Sequence, residues 1–253
     1  MNTPAALLDA VACPLSAGFE RLAALRGGEA VHRRGLVVGG RIRIRPGCRP
    51  TGALLLDRDR TCAVQARLSW GVGAGGRLPD LAGLGVRVLD ADGRGGRQDL
   101  LVSSSLPPPY SRLILPRRSL GGWYGTPLRL RLGDATGPLV HLAARVGVET
   151  GGRHRLTLAG ARAAAAAGRL QVLLVVHDRH RELATGCIAL DEVSDPANPP
   201  RPRFDMGNAA GGLVYAGFWQ AVRQRTYAAS RRGDPRTGEG RPHSAGAGFR
   251  SMR

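Results

Sequence analysis

Lysine is missing from this 253-residue sequence, so all 37 basic residues are arginine. Set against 19 acidic residues, they give a formal charge of +18. An arginine-only basic set beside 37 glycines reads as a compositional bias, so charge alone does not define a partner. Aromatic residues are scarce as well, at 4%. Stacking platforms for single-stranded nucleic acid are therefore few. The arginines are spread along the chain, which argues against sequence-specific nucleic-acid binding. Cysteines are limited to Cys13, Cys48, Cys62 and Cys187. No two have metal-ligand spacing and no disulfide framework of a small secreted domain is present, so they are expected to be reduced and mostly buried. Apolar runs such as Val172 to Val176 are far too short to span a bilayer. The N-terminus carries Asp9 and lacks the basic start of a signal peptide. A soluble, cytoplasmic protein with no membrane partner is the expectation.

Hydrophobic periodicity divides the chain. Residues 3–26 read as one or two helices, with Thr3-Pro4 as a start and Gly27-Gly28 as a stop. From residue 35 the period becomes two: in Arg41-Ile42-Arg43-Ile44-Arg45 the isoleucines face one side and the arginines the other. Comparable runs stand at 61–69, 84–89, 98–103, 128–132, 139–148, 154–158, 170–177 and 186–191. Gly, Pro and Asp separate them, a pattern of barrels and sandwiches rather than doubly wound sheets. The alanine-rich stretch 160–168 predicts a helix ending at Gly168. Residues 194–212 form a proline-rich crossing. Val214, Phe218, Val222 and Thr226 predict a helix over 213–231. Residues 232–253 are rich in Arg, Gly and Pro, with too few apolar groups to bury, and read as a disordered tail.

Two motifs invite over-reading. Gly71-Val72-Gly73-Ala74-Gly75-Gly76 has the glycines of a dinucleotide loop, but Pro79 and the next strand follow too soon for the helix such a loop requires. His177-Asp178-Arg179-His180 has histidines three apart at a strand end, which point to opposite faces, so a solvated turn is expected instead of a metal site.

A third set of residues is more telling. Val31-His32-Arg33-Arg34-Gly35 opens the first strand. It is followed in order by Ala66-Arg67-Leu68-Ser69, Asp80 to Val88, Asp92-Gly93 and Asp99-Leu100-Leu101-Val102-Ser103-Ser104. Order and spacing resemble the core of haem catalases: V-H-x-x-G, R-F-S, D-P-R-G-F-A-V-K-F, D-G, then D-L-V-G-N-N. The likeness continues more loosely through Leu170 to His177, Ala184 to Leu190, and Arg203-Phe204-Asp205. It ends at Arg223-Gln224-Arg225-Thr226-Tyr227, which is similar to the family's R-x-x-x-Y motif.

The resemblance implies a mainly β, α+β fold: an antiparallel, catalase-like β-barrel of about eight strands with flanking N- and C-terminal helices. The expected organisation is a helical segment at 1–28, the barrel domain with its C-terminal helix at 29–231, and the tail at 232–253. The implied cofactor is haem, and the implied substrate hydrogen peroxide or an organic hydroperoxide. Tyr227 would ligate the iron. Arg223, four residues earlier on one helix face, would hold the phenolate below its ordinary pKa of about 10. Peroxide cleavage needs a base near neutrality; His32 takes the family's distal position, with Ser69 orienting it, Val31 packed beside it and Ser104 assisting. Arg67 matches a haem-propionate arginine. His32, Ser69 and Ser104 are then expected to converge in one cavity.

Departures from the family pattern are specific. Ser104 stands for an asparagine, Leu68 for an aromatic, and Glu29 for a propionate-binding arginine. A carboxylate at 29 would repel a propionate. Glu29 and Ser104 keep a second reading open, a catalase-fold protein without haem chemistry that binds another ligand or none; only the charge of +18 speaks for a third, a basic nucleic-acid-binding protein.

Overall fold

A computed structural model describes residues 34–71, 78–134, 136–149, 155–178, 181–194 and 202–216. The helices expected at 3–26, the part of the expected 213–231 helix beyond residue 216 and the expected tail lie outside the described residues, as do Val31, His32, Glu29, Arg223 and Tyr227.

Ten strands form one sheet, β1 (Arg34–Arg45), β2 (Arg60–Trp70), β3 (Ala82–Val88), β4 (Gln98–Ser104), β5 (Gly122–Gly125), β6 (Arg129–Leu132), β7 (Leu139–Val148), β8 (Leu170–His177), β9 (Glu182–Val193) and β10 (Leu213–Ala216). Neighbouring strands run β7-β5-β4-β3-β2-β1-β9-β8, and β8 returns to β7. The result is a closed, antiparallel barrel of 8 strands. β6 and β10 extend from the far end of β7 as a short flap.

Alternation assigns the faces. Leu36, Val38, Ile42 and Ile44 of β1, Val64, Ala66 and Leu68 of β2, Leu84 and Val86 of β3, and Leu100 and Val102 of β4 point inward and are buried. Each such Val, Leu or Ile contributes about 1.5–3 kcal/mol by leaving water. The intervening residues Arg41, Arg43 and Arg45 are exposed on the outer wall.

One helix is described, α1 (Leu158–Ala166). The Thr157 side chain accepts from the Gly160 N–H at 3.1 Å and caps it. Gly168, at φ +65°, ends it. Ala161, Ala164 and Ala165 are its buried face, packed toward β9 and β1.

Several expectations are corrected. Residues 154–158 do not form a strand: 155–157 are irregular, and the Thr157 cap turns the chain into α1 two residues before the alanine run. Residues 213–216 are strand, not helix. Gln98, fully buried, accepts from the Leu213 N–H and donates to its carbonyl, which fixes Leu213 against the barrel. Paired with β6, this tertiary clamp outweighs the helical i, i+4 spacing of Val214 and Phe218. β5 carries no sequence signal of its own; Gly-Trp-Tyr-Gly is a strand because β4 and β7 hold it on both sides. Of the described cysteines only Cys62 is buried, where burial raises its thiol pKa; Cys48 and Cys187 are exposed.

Candidate functional site on the outer barrel wall

The segments that carry the family likeness are far apart in sequence and adjacent in the sheet. Gly35 on β1 pairs with Ser69 on β2, Ser69 with Gly83 on β3, Gly83 with Ser103 on β4, and Ser103 with Gly125 on β5. Their neighbours Leu36, Leu68, Leu84, Val102 and Tyr124 point inward. The row therefore faces outward, and no side chain in it is larger than a hydroxymethyl group. A Cβ at Gly35 would lie 2.8 Å from the Leu68 carbonyl oxygen and 3.1 Å from Arg67 Nε, so the arginine lies close beside this row. Ser69 is buried, and its hydroxyl donates to the Gly83 carbonyl at 3.4 Å. The row is exposed at Gly35, half-buried at Ser103 and buried at Ser69, Gly83 and Gly125, and it carries two hydroxyls with one guanidinium beside them.

Ser69 and Arg67 thus share the outer wall. Ser104 does not join them. It points inward, fully buried, where its hydroxyl accepts from the Ala82 N–H at 3.1 Å and donates to the Leu115 carbonyl at 2.7 Å. Ser69 and Ser104 stand on opposite faces, and the expectation that they meet in one cavity is corrected. The residue of β4 that shares a face with Ser69 is Ser103. Adjacent serines give no alternation signal, and a shift of one residue exchanges the two faces of a strand.

The tyrosines also sort themselves. Tyr124 is buried in the barrel; its hydroxyl donates to the Leu120 carbonyl at 2.6 Å, and burial pushes its pKa far up. The Arg117 guanidinium lies 4.9 Å from its ring and donates to the carbonyls of Gly121, Ser105 and Trp123. Burial lowers the Arg117 pKa. The Tyr215 hydroxyl accepts from the Leu101 N–H at 2.7 Å and donates to the Leu101 carbonyl at 3.1 Å. Tyr110 is exposed on the loop after β4. Two of the three described tyrosines therefore have hydroxyls committed to main chain.

A second polar cluster lies around the wall at β7 and β8. Pro107, Pro109, Trp123, Leu173 and His177 border a cleft of about 390 Å³. His177 is no solvated turn: it is 3% exposed, its Nε2 lies 2.9 Å from the Ser111 hydroxyl, and its Nδ1 lies 2.8 Å from the Asp178 carbonyl. His141 stacks on it with ring centroids 5.7 Å apart. Ser111 resembles half of a nucleophile–base pair, but it is fully buried and cannot meet a substrate. The pair fastens the 107–111 loop over Gly125, where an added Cβ would lie 2.0 Å from the Ser111 carbonyl oxygen. Ser111 follows Pro-Pro-Pro-Tyr in a turn without periodicity, and nothing near it in sequence signals His177. Among the described residues no three His, Cys, Asp or Glu side chains gather as a metal site, and no helix is long and apolar enough to cross a membrane.

No family model and no curated protein matches the chain. Two solved catalases are similar in shape. A bacterial catalase is 12% identical, with a TM-score of 0.48, over 80% of this chain and 56% of that one. Catalase A from Saccharomyces cerevisiae is 10% identical, with a TM-score of 0.47, over 80% of this chain and 60% of that one. The chain spans less than two thirds of either protein.

Proposed function

We propose that this chain is a catalase-related haem protein that acts on hydrogen peroxide or an organic hydroperoxide. One observation carries the reading: four sequence segments similar to catalase motifs lie on consecutive strands, with Gly35, Ser69, Gly83 and Ser103 in a single outward row of small residues. His32 is only three residues before Gly35. The small side chains of the row would suit the flat face of a porphyrin, and Arg67 beside it a propionate. Haem, when bound, supplies the iron centre at which a peroxide O–O bond is cleaved.

The chain's own residues then divide the work. His32 would accept a proton from one peroxide oxygen and return it to the other. Val31 would take the position beside it that the resemblance implies. Ser69 orients the imidazole, and Ser103 supplies the second hydroxyl on that wall, the task that sequence order had given to Ser104. Tyr227 would provide the oxygen ligand, and Arg223 would stabilise it as phenolate.

Haemin added to the purified protein should produce a Soret band. Tyr227→Phe should abolish it, because the ring stays and the donor oxygen goes. His32→Ala should keep the band and slow peroxide cleavage by about 10²–10⁴. Equal haem retention by wild type and Tyr227→Phe would refute the ligand assignment. Glu29 favours a second reading, a catalase-fold protein without haem chemistry. If the wild type binds no haem and Glu29→Arg does, binding was lost at the propionate; if neither does, the second reading stands.

A further inference from the structure

We infer that the outer face of β1 is a docking surface for the phosphate backbone of double-stranded DNA. Arg41, Arg43 and Arg45 are all exposed there, at alternate positions of one regular strand. Alternate residues of a strand recur about every 6.8 Å. Duplex DNA presents a dense line of phosphate charge, which a row of exposed guanidinium groups complements. The flanking outward residues are small and uncharged: Ala63 and Thr61 on β2, Ala189, Cys187 and Thr185 on β9. The guanidinium groups therefore stand above a low floor that a rod can approach.

The surrounding charges give the ladder a direction. Arg49 and Arg58, both exposed in the β1–β2 connection, extend it beyond Arg45. Asp57 in that connection is turned to the N–H groups of Thr51 and Gly52. Asp59 meets Arg43 at 3.4 Å, but both partners are more than half exposed and Arg43 stays accessible. At the other end Glu192 lies over Gly39 and Asp191 is exposed, closing the basic strip. No aromatic side chain stands on the outward face among these residues, which leaves phosphate contact without base stacking and favours a duplex over a single strand. Such binding carries no base readout. The strip lies six residues along β1 from Gly35, about 20 Å, so it is independent of haem.

The test is fluorescence anisotropy of a labelled random-sequence DNA duplex with the full-length protein across a salt series. Three phosphate contacts contribute about −2.7 to the slope of log K against log salt. The triple variant Arg41→Gln/Arg43→Gln/Arg45→Gln should lose about that much slope and bind at least about tenfold more weakly near 0.1 M salt. Its melting curve should match the wild type, since all three side chains are exposed. Arg97→Gln/Arg112→Gln/Arg129→Gln removes the same charge from exposed positions near β4–β6 and should leave affinity within about twofold. Equal weakening by both triples would overturn the inference in favour of net charge. So would a wild type that binds no duplex, or a ladder variant whose loss falls on single-stranded DNA or phosphatidylserine vesicles and spares the duplex.

Discussion

Two arginine–aspartate pairs lie on the same outer wall and have little else in common. Arg87 and Asp99 meet at 2.7 Å with side chains 12% and 0% exposed; Arg43 and Asp59 meet at 3.4 Å with 62% and 57% exposed. Asp99 also accepts from the Asp205 N–H at 2.7 Å and the Asn208 side chain at 2.9 Å, while Arg87 donates to the Arg203 carbonyl. Phe204 lies between, its ring 5.4 Å from the Arg87 guanidinium and against Gly85. On the β3–β4 side the wall is thus covered, and a charge pair is the clasp that fastens the 202–212 crossing to the barrel. The hydrogen bonds that Arg87 donates to the Asp99 carboxylate raise its pKa despite burial. Along Arg41–Arg45 of β1 the wall is exposed, and the same chemistry is left for a partner. The difference teaches that a charge pair organises a fold where it is desolvated and fully bonded, and stays available where it is not.

The sharpest way to break this contrast is to remove one partner from each pair. Asp99→Ala should cost about 3–5 kcal/mol, since Arg87 is left without its carboxylate and two donors without an acceptor. Asp59→Ala should cost about 0–1 kcal/mol. Equal losses in denaturant melts would end the comparison. Next in size is Gly85→Ala, whose Cβ would lie 2.9 Å from the Phe204 ring. About 1–3 kcal/mol should be lost. Adding Phe204→Ala should recover part of it, and an additive double-mutant cycle would show that ring and glycine are not in contact.

Ser104→Ala leaves the Ala82 N–H and the Leu115 carbonyl without their hydroxyl partner, at a cost of about 1–3 kcal/mol. Its peroxide kinetics, measured on folded protein, should match the wild type. Ser103→Ala should change stability less and peroxide turnover more; the opposite ranking would return Ser104 to the site. The smallest effect belongs to an exposed loop carboxylate. Hydrogen bonds from Thr136 hold the Asp134 pKa below its ordinary value. Its contribution to stability is therefore present above the ordinary carboxylate pKa of about 3.9 and lost as pH falls through the lower folded value. Thr136→Ala should move the Asp134 midpoint upward in an NMR titration; an unmoved midpoint would discard the Thr136 assignment.

Much of the barrel was legible because its walls alternate cleanly. Arg41 to Arg45 reads as one strand with two faces, and 139–148 and 170–177 coincide with β7 and β8. The alanine run foretold α1 to within two residues, while its cap at Thr157 looked like the end of a strand. The candidate site was legible in part. Ser69 and Arg67 share an outer face, but Ser104 was chosen over Ser103 because matching motif letters does not say which of two like neighbours faces out. The arginines are scattered along the chain as a whole, but Arg41, Arg43 and Arg45 already share a face in the sequence; the structure adds the small residues of β2 and β9 that flank them.

The order of residues alone settles which side chains travel together, since a period of two needs only local backbone geometry and the exclusion of water from Ile42, Ile44 and their like. It also settles that the chain is mainly strands joined by glycine and proline turns. What it could not settle depends on partners distant in sequence. Gln98 makes Leu213 a strand residue, Ser111 buries His177, and Asp99 holds Asp205 and Asn208. Local preferences amount to tenths of a kcal/mol per residue. A buried polar group left without its partner costs about 1–3 kcal/mol, so the long-range contacts prevail wherever the two disagree.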